Sequence, residues 1–353
     1  MSLLHTPTPF VVPPAACSAS CGTVAPVAAV LLLFFALAAS SVLAQPTNLV
    51  RRPLHVVFTR STFRNVNPSD AEAAFRVFSQ SVMRQQGYDL DTSTRMFDSG
   101  AECEAEVKKG LVTLLIIDAL EYLSMDVPDM EPAFVHYEQG VVLKEYLLLT
   151  RRGSELKTLA DLRGKDIVIL ESKSGHLSMA WLEVLLLEQG LGTPDTFFKK
   201  VEMANKPSMT ALPVFFGNKS ACIVDRLSFQ TMVELNPQVG SNLVSLAVSA
   251  PYLDSITCVT RSGYPTERSR QHLMQSLRDL HIEPAGRQIL MMFKVDQLVP
   301  FKEEYLEGVR NLRAKHARLK AGDPTQARKE PALLSPTGEP KPTTNITQAQ
   351  TQR

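Results

Sequence analysis

Two stretches of this chain follow one plan, and that duplication restricts its fold more than any other feature. The first runs from Gly110 through Thr113 and the apolar run Leu114–Ile117 to Asp118 and Tyr122. The second runs from Gly217 through Ser220 and Ala221–Val224 to Asp225 and Phe229. Each is a glycine, a hydroxyl residue three later, an apolar run, an aspartate eight after the glycine and an aromatic four beyond it. A weaker echo precedes each copy. The apolar run Leu54–Thr59 leads into Arg60, Ser61 and Thr62, and Asp166–Leu170 leads into Glu171, Ser172, Lys173 and Ser174. There is no short tandem period, so the pattern is a doubled lobe rather than a solenoid.

The rest of the chain alternates in the same way. Short β-branched runs predict strands at Leu54–Thr59, Leu111–Ile117, Val141–Leu149, Asp166–Leu170, Ala221–Val224 and Ile256–Thr260. Helices are expected from Ser69 to Gly87, from Gly175 to Leu187, and from Pro265 to about Lys320 with interruptions at Pro284 and Pro300. Buried strands alternating with helices read as an α/β chain of two Rossmann-like lobes with mostly parallel central sheets. The second copy lies between Val141–Leu149 and Ile256–Thr260. If both runs cross between lobes, they make a hinge beside a cleft. The expected division is residues 51–145 and 251–320 for the first lobe and 146–250 for the second.

The first fifty residues contain no Lys, Arg, Asp or Glu, and Val27 to Ala39 is unbroken apolar sequence. With Val42, Leu43 and Ala44 ahead of Gln45, this is the layout of a secretory signal over residues 1–44, and it implies export. An uncleaved anchor over Val27–Ala44 is the alternative. Residues 321–353 are rich in Pro, Thr, Gln and charge and are expected to be disordered. Of five cysteines, Cys103, Cys222 and Cys258 lie beyond the signal; a Cys222–Cys258 bridge is left open. The formal net charge of +1 provides no field to attract nucleic acid.

In open parallel sheets, ligands sit beyond the C-terminal ends of the strands. That rule selects Thr59–Thr62, Asp118, Glu171–His176 and Asp225–Arg226. Ser172, Lys173, Ser174 and Gly175 join a strand to a helix, where orphan N–H groups, hydroxyls and the helix dipole favour an anion. The competing reading is a plain N-capping turn. Asp118 and Asp225 are either acceptors for a ligand or caps of the following helices. Arg60, beside Ser61, and Arg226 are either anion clamps or solvated charge. The histidines show no metal spacing, and there is no nucleophile elbow, zinc-protease motif, P-loop or dinucleotide fingerprint. The expectation is therefore a binding protein without cofactor, metal or chemistry; an enzyme would have to use Asp118, Glu171, His176 or Asp225.

The segment Leu159–Leu170, with Asp161, Leu162, Gly164 and Lys165 in order, followed by Ser172–Gly175, resembles the D-L-K-G-K and S-T-S-G segments of phosphate/phosphonate-family periplasmic solute-binding proteins. Gly110–Tyr122 and Gly217–Asp225 resemble that family's two G-x-x-D segments, although Thr113 and Ser220 stand where its aspartates do. Lys173 replaces a small hydroxyl residue, and the family's pocket histidine has no match. The resemblance implies a type 2 periplasmic-binding fold. It implies that Ser172, Lys173, Ser174 and Gly175 hold the anion, that Tyr122 lines the pocket, and that Ser208 lies near the missing histidine's place. It also implies a periplasmic monomer that captures a small anionic solute for an ABC-type importer. A sensor or adaptor for a membrane receptor kinase is the alternative.

Overall fold

The computed structural model describes residues 50–62, 67–78, 88–170, 177–262, 264 and 266–322. The expected signal, the turn at 171–176 and the tail from 323 lie outside these residues.

The first part of the chain forms β1 (Val50–Thr59), α1 (Pro68–Phe78), β2 (Tyr88–Phe97), α2 (Gly100–Lys108), β3 (Leu114–Asp118), α3 (Ala119–Tyr122) and β4 (Met130–Tyr137). Then come β5 (Leu143–Lys144), β6 (Tyr146–Arg151), β7 (Asp166–Leu170), α4 (Leu177–Glu188), α5 (Pro194–Phe197), β8 (Lys200–Ala204), α6 (Pro207–Phe215), β9 (Ala221–Asp225), α7 (Arg226–Leu235), α8 (Pro237–Asn242) and β10 (Leu243–Val248). The described residues continue with β11 (Tyr252–Leu253), β12 (Ser255–Thr260), α9 (Glu267–Arg278), α10 (Pro284–Met292), β13 (Gln297–Pro300) and α11 (Glu307–Lys320).

The strands build two sheets of one design. The first has the order β13-β4-β12-β3-β1-β2 and the second β10-β6-β9-β7-β8. In the first, β2, β1 and β3 run parallel and β12 lies antiparallel to β3. In the second, β8, β7 and β9 run parallel and β6 lies antiparallel to β9. The duplicated segments occupy equivalent places. Gly110 and Gly217, at φ +73° and +80°, end α2 and α6 in the left-handed conformation that glycine adopts without steric cost. Asp118 and Asp225 then end β3 and β9 and cap the next helix.

The chain passes between the sheets twice, and the two passages pair. β5 and β11 form a separate antiparallel ribbon, with Lys144 opposite Tyr252 and Leu143 opposite Leu253. The sequence predicts one strand over Val141–Leu149; the structure breaks it at Glu145, because the residues on either side join different sheets. The sequence also predicts helix from Pro265 to Lys320. In its place Gln297–Pro300 adds an edge strand to β4, with Pro300 at its end, where a missing N–H does no harm.

The largest core cluster runs through the passage region. It holds Leu115 and Ile117 from β3, Tyr146, Tyr252, Trp181 from α4, and Leu306, Val309 and Leu312 around the start of α11. Tyr146 is packed between Trp181 and Tyr252, with ring centroids 6.5 and 6.4 Å away. Helix α4, LSMAWLEVLLLE, is apolar nearly all round. It is covered on more than one side, by β7 and by α11.

Cys103, Cys222 and Cys258 are free and buried, so the bridge left open by the sequence is not formed. Burial pushes the Cys103 thiol up to about 12 and raises Cys222 and Cys258 as well. Thiolates are the reactive form. These three thiols are therefore expected to resist an aromatic disulfide reagent at pH 8 in the native protein and to react in full in denaturant, counted by absorbance of the released thiol.

Candidate functional site

The parallel strands of each sheet end on one edge, where β1 stops at Thr59, β3 at Asp118, β7 at Leu170 and β9 at Asp225. The residues singled out by the strand-end rule all follow these points. Ser172, Lys173, Ser174 and Gly175 lie outside the described residues, between the last residue of β7 and the first of α4.

Asp118 and Asp225 make matching contacts. Asp118 is buried, and its Oδ1 accepts from the Leu120 and Glu121 amides at 2.8 and 3.2 Å. Asp225 is also buried, and its Oδ1 accepts from the Ser228 amide at 2.8 Å. The next amide in each copy turns to the other passage of the chain: Ala119 N–H donates to the Asp254 carbonyl at 3.0 Å and Arg226 N–H to the Glu145 carbonyl at 2.8 Å. Each aspartate caps a helix by the mechanism that favours Asp at such positions. The Ala119 and Arg226 amides tie each strand end to the passage between sheets.

Around the ribbon lies a set of charges that the sequence reading did not single out. Glu145 and Asp254 occupy equivalent places, each between a ribbon strand and a buried strand. Glu145 pairs with Arg226. Asp254 meets Lys144 at 3.3 Å, and Lys144 also meets Glu138 at 2.9 Å. Ser255 Oγ lies 3.0 Å from His136 Nδ1. Burial, and then the Lys144 ammonium, hold His136 down at about 4. Burial, and then the carboxylates of Asp254 and Glu121, push Asp118 up to about 7. The available signal was charge between two apolar runs, as at Lys144–Glu145 and at Asp254.

The other candidates are dispersed. Arg60 pairs with Asp98, and both are exposed. Ser61 sits in the 3-10 turn Arg60–Thr62. Tyr122 packs against the main core. Burial pushes its phenol up to about 12, with Glu303, Arg261 and Arg310 among the charges acting on it. Ser208 is exposed in the first turn of α6, whose N-cap Lys206 makes no side-chain cap. The equivalent helix of the first lobe, α2, is closed: Ser99 and Glu102 form a capping box, and the Gly100 amide donates to Glu121 Oε1 at 3.1 Å. At the strand ends the first lobe carries Asp118 and Glu121 and the Arg60–Asp98 pair. The second carries Asp225, the Arg226–Glu145 pair and Lys206 at a helix start without a side-chain cap.

Among the described residues no group of three or more His, Cys, Asp and Glu is placed to hold a metal, and no helix is long and apolar enough to cross a membrane.

No curated protein sequence matches the chain. Solved structures share its fold. A Xanthomonas citri protein bound to ATP is 15% identical, with a TM-score of 0.56, over 76% of this chain and 98% of its own. A binding component of a phosphonate ABC transporter from Pseudomonas aeruginosa is 12% identical, with a TM-score of 0.53, over 76% and 88%. PhnD1 of Prochlorococcus marinus, in complex with methylphosphonate, is 14% identical, with a TM-score of 0.52, over 76% and 98%. The expected α/β fold of type 2 periplasmic-binding proteins is therefore present. The family model for the phosphonate periplasmic substrate-binding protein of ABC transporters matches residues 63–306. The chain belongs to that family of periplasmic substrate-binding proteins.

Proposed function

We propose that this protein captures a small oxyanion or phosphonate-like solute between its lobes, in the periplasm, and delivers it to a membrane importer without altering it. The observation that carries this reading is the difference between the two equivalent helix starts. In the first lobe α2 spends its N-terminal donors on Ser99, Glu102 and Glu121. In the second, α6 begins without a side-chain cap, after the strand that neighbours β7. Residues Ser172, Lys173, Ser174 and Gly175 connect β7 to α4 at that same edge. A helix start without a side-chain cap, serine hydroxyls and a lysine attract an anion there.

The test is titration calorimetry of the protein with inorganic phosphate, methylphosphonate and sulfate. The double substitution Ser172→Ala with Ser174→Ala is expected to weaken binding of the preferred anion about 10- to 100-fold, because a hydrogen bond to a charged group contributes ~1.5–3 kcal/mol. The unliganded thermal midpoint should change little. Undiminished affinity in the double variant removes the β7–α4 connection from the site; no heat with any of the three anions removes the oxyanion.

A further inference from the structure

Helix α11 follows strand β13 of the first sheet, yet two of its charged partners belong to the second lobe. Glu183 on α4 receives His316 Nε2 at 2.7 Å and Lys320 Nζ at 3.1 Å, and Glu188 pairs with Lys315. On the first lobe's side, the Arg313 guanidinium donates to the Leu123 carbonyl just past α3. At its start α11 rests directly on the passage between sheets. A Cβ at Gly308 would stand 2.3 Å from the Pro251 carbonyl oxygen, so only glycine permits that approach. Val309 and Leu312 are buried beside it in the core that contains Tyr146, Tyr252 and Trp181.

We infer that α11 is a clasp that holds the second lobe's helix α4 to the first lobe and so sets how readily the lobes part. The seat at Gly308 lies next to the ribbon, about which any rotation of the lobes must turn. Lys315 to Lys320 stand roughly 10–18 Å further along the helix, at 1.5 Å rise per residue. Small rotations near the seat therefore become the largest displacements at Glu183 and Glu188. Those ion pairs break before the apolar seat is disturbed. Helix α4 begins at Leu177, two positions after Gly175.

The experiment measures the distance between spin labels on the two lobes, with no ligand added. Labels go on exposed Lys199→Cys and Arg278→Cys, in full-length chain carrying Cys17→Ser and Cys21→Ser; the remaining thiols are buried. Glu183→Gln with Glu188→Gln is expected to raise the longer-distance population about threefold, the shift that partly exposed ion pairs can carry. Glu188→Lys alone should do the same, and combining it with Lys315→Glu should restore the parent distribution. If the double variant folds poorly, exposed Lys315→Glu alone reports on the same contact. Distributions that coincide with the parent's in all these variants overturn the clasp. Because no solute is present, such a result leaves solute capture standing, and absence of anion binding leaves the clasp standing.

Discussion

Replacing Asp118 with asparagine is expected to stabilise the protein at pH 8 and to change little at pH 4. Asp118 ordinarily titrates near 3.8, and in the folded protein it stands at about 7 because it is buried beside Asp254 and Glu121. Folding therefore takes up a proton between these values. The Asp118 contribution to stability is greatest below about pH 4, falls as pH rises toward 7 and is level above. A shift of about three units corresponds to roughly 4 kcal/mol at 1.36 kcal/mol per unit, so a gain of about 2–4 kcal/mol is expected at pH 8. An amide Oδ1 keeps both cap bonds from Leu120 and Glu121, so the substitution removes the charge without the cap. His136 works in the opposite sense. Its folded value near 4 lies below its ordinary 6.5, so its contribution to stability falls as pH drops through that window. In the parent the two slopes oppose each other; in Asp118→Asn stability should climb from pH 4 to 6.5. Urea midpoints at pH 4, 6 and 8 read both effects. A loss of stability at pH 8 would mean that the folded state needs the carboxylate's charge.

Trp181→Ala should cost about 3–5 kcal/mol, within the range for truncating a large buried aromatic. Trp181 is 5% exposed and packs on Tyr146, itself 2% exposed, in the core that joins both passages of the chain to α4 and α11. The rigid framework of Tyr146, Tyr252 and Leu253 closes poorly over the gap, which adds the cost of a cavity to the lost transfer energy. Against a typical total of 5–15 kcal/mol, this is a large share. Urea unfolding followed by circular dichroism measures it. A loss under about 1 kcal/mol would mean that the passage region is loosely packed and that each lobe holds itself together. Trp181 is also the single tryptophan of the chain, so its fluorescence in the parent reports on this region without labelling.

What the sequence made legible follows from where each strand sits. β1, β3, β7, β9 and β12 are interior strands, and their burial on both faces writes a continuous apolar run. The strands that went unread, β2, β8, β10 and β13, are the four edges of the two sheets. YDLDTSTRMF and KVEMA carry charge because an edge strand has one neighbour and tolerates solvent. β4 was missed for another reason: Pro132 interrupts its pattern, and the register against β12 shifts there, between Thr257 and Cys258. At the site, the matched spacing of Asp118 and Asp225 identified the strand ends, and both aspartates proved to cap helices. The partners of the two arginines were not legible. Arg60 with Asp98, and Arg226 with Glu145, are separated by 38 and 81 positions, and only the fold brings them together. The crossing of α11 to α4 left no pattern for the same reason.

The pairing of β5 with β11 has a consequence for descent. Lys144 faces Tyr252, so the segment between them leaves and rejoins the molecule at a single place, like a cassette inserted through one slot. Its sheet is complete without a strand borrowed from outside. Exchange of such a segment between related genes has two backbone junctions to rebuild, and beyond them only the face that α4 and Tyr146 present to α11 has to match the inherited frame.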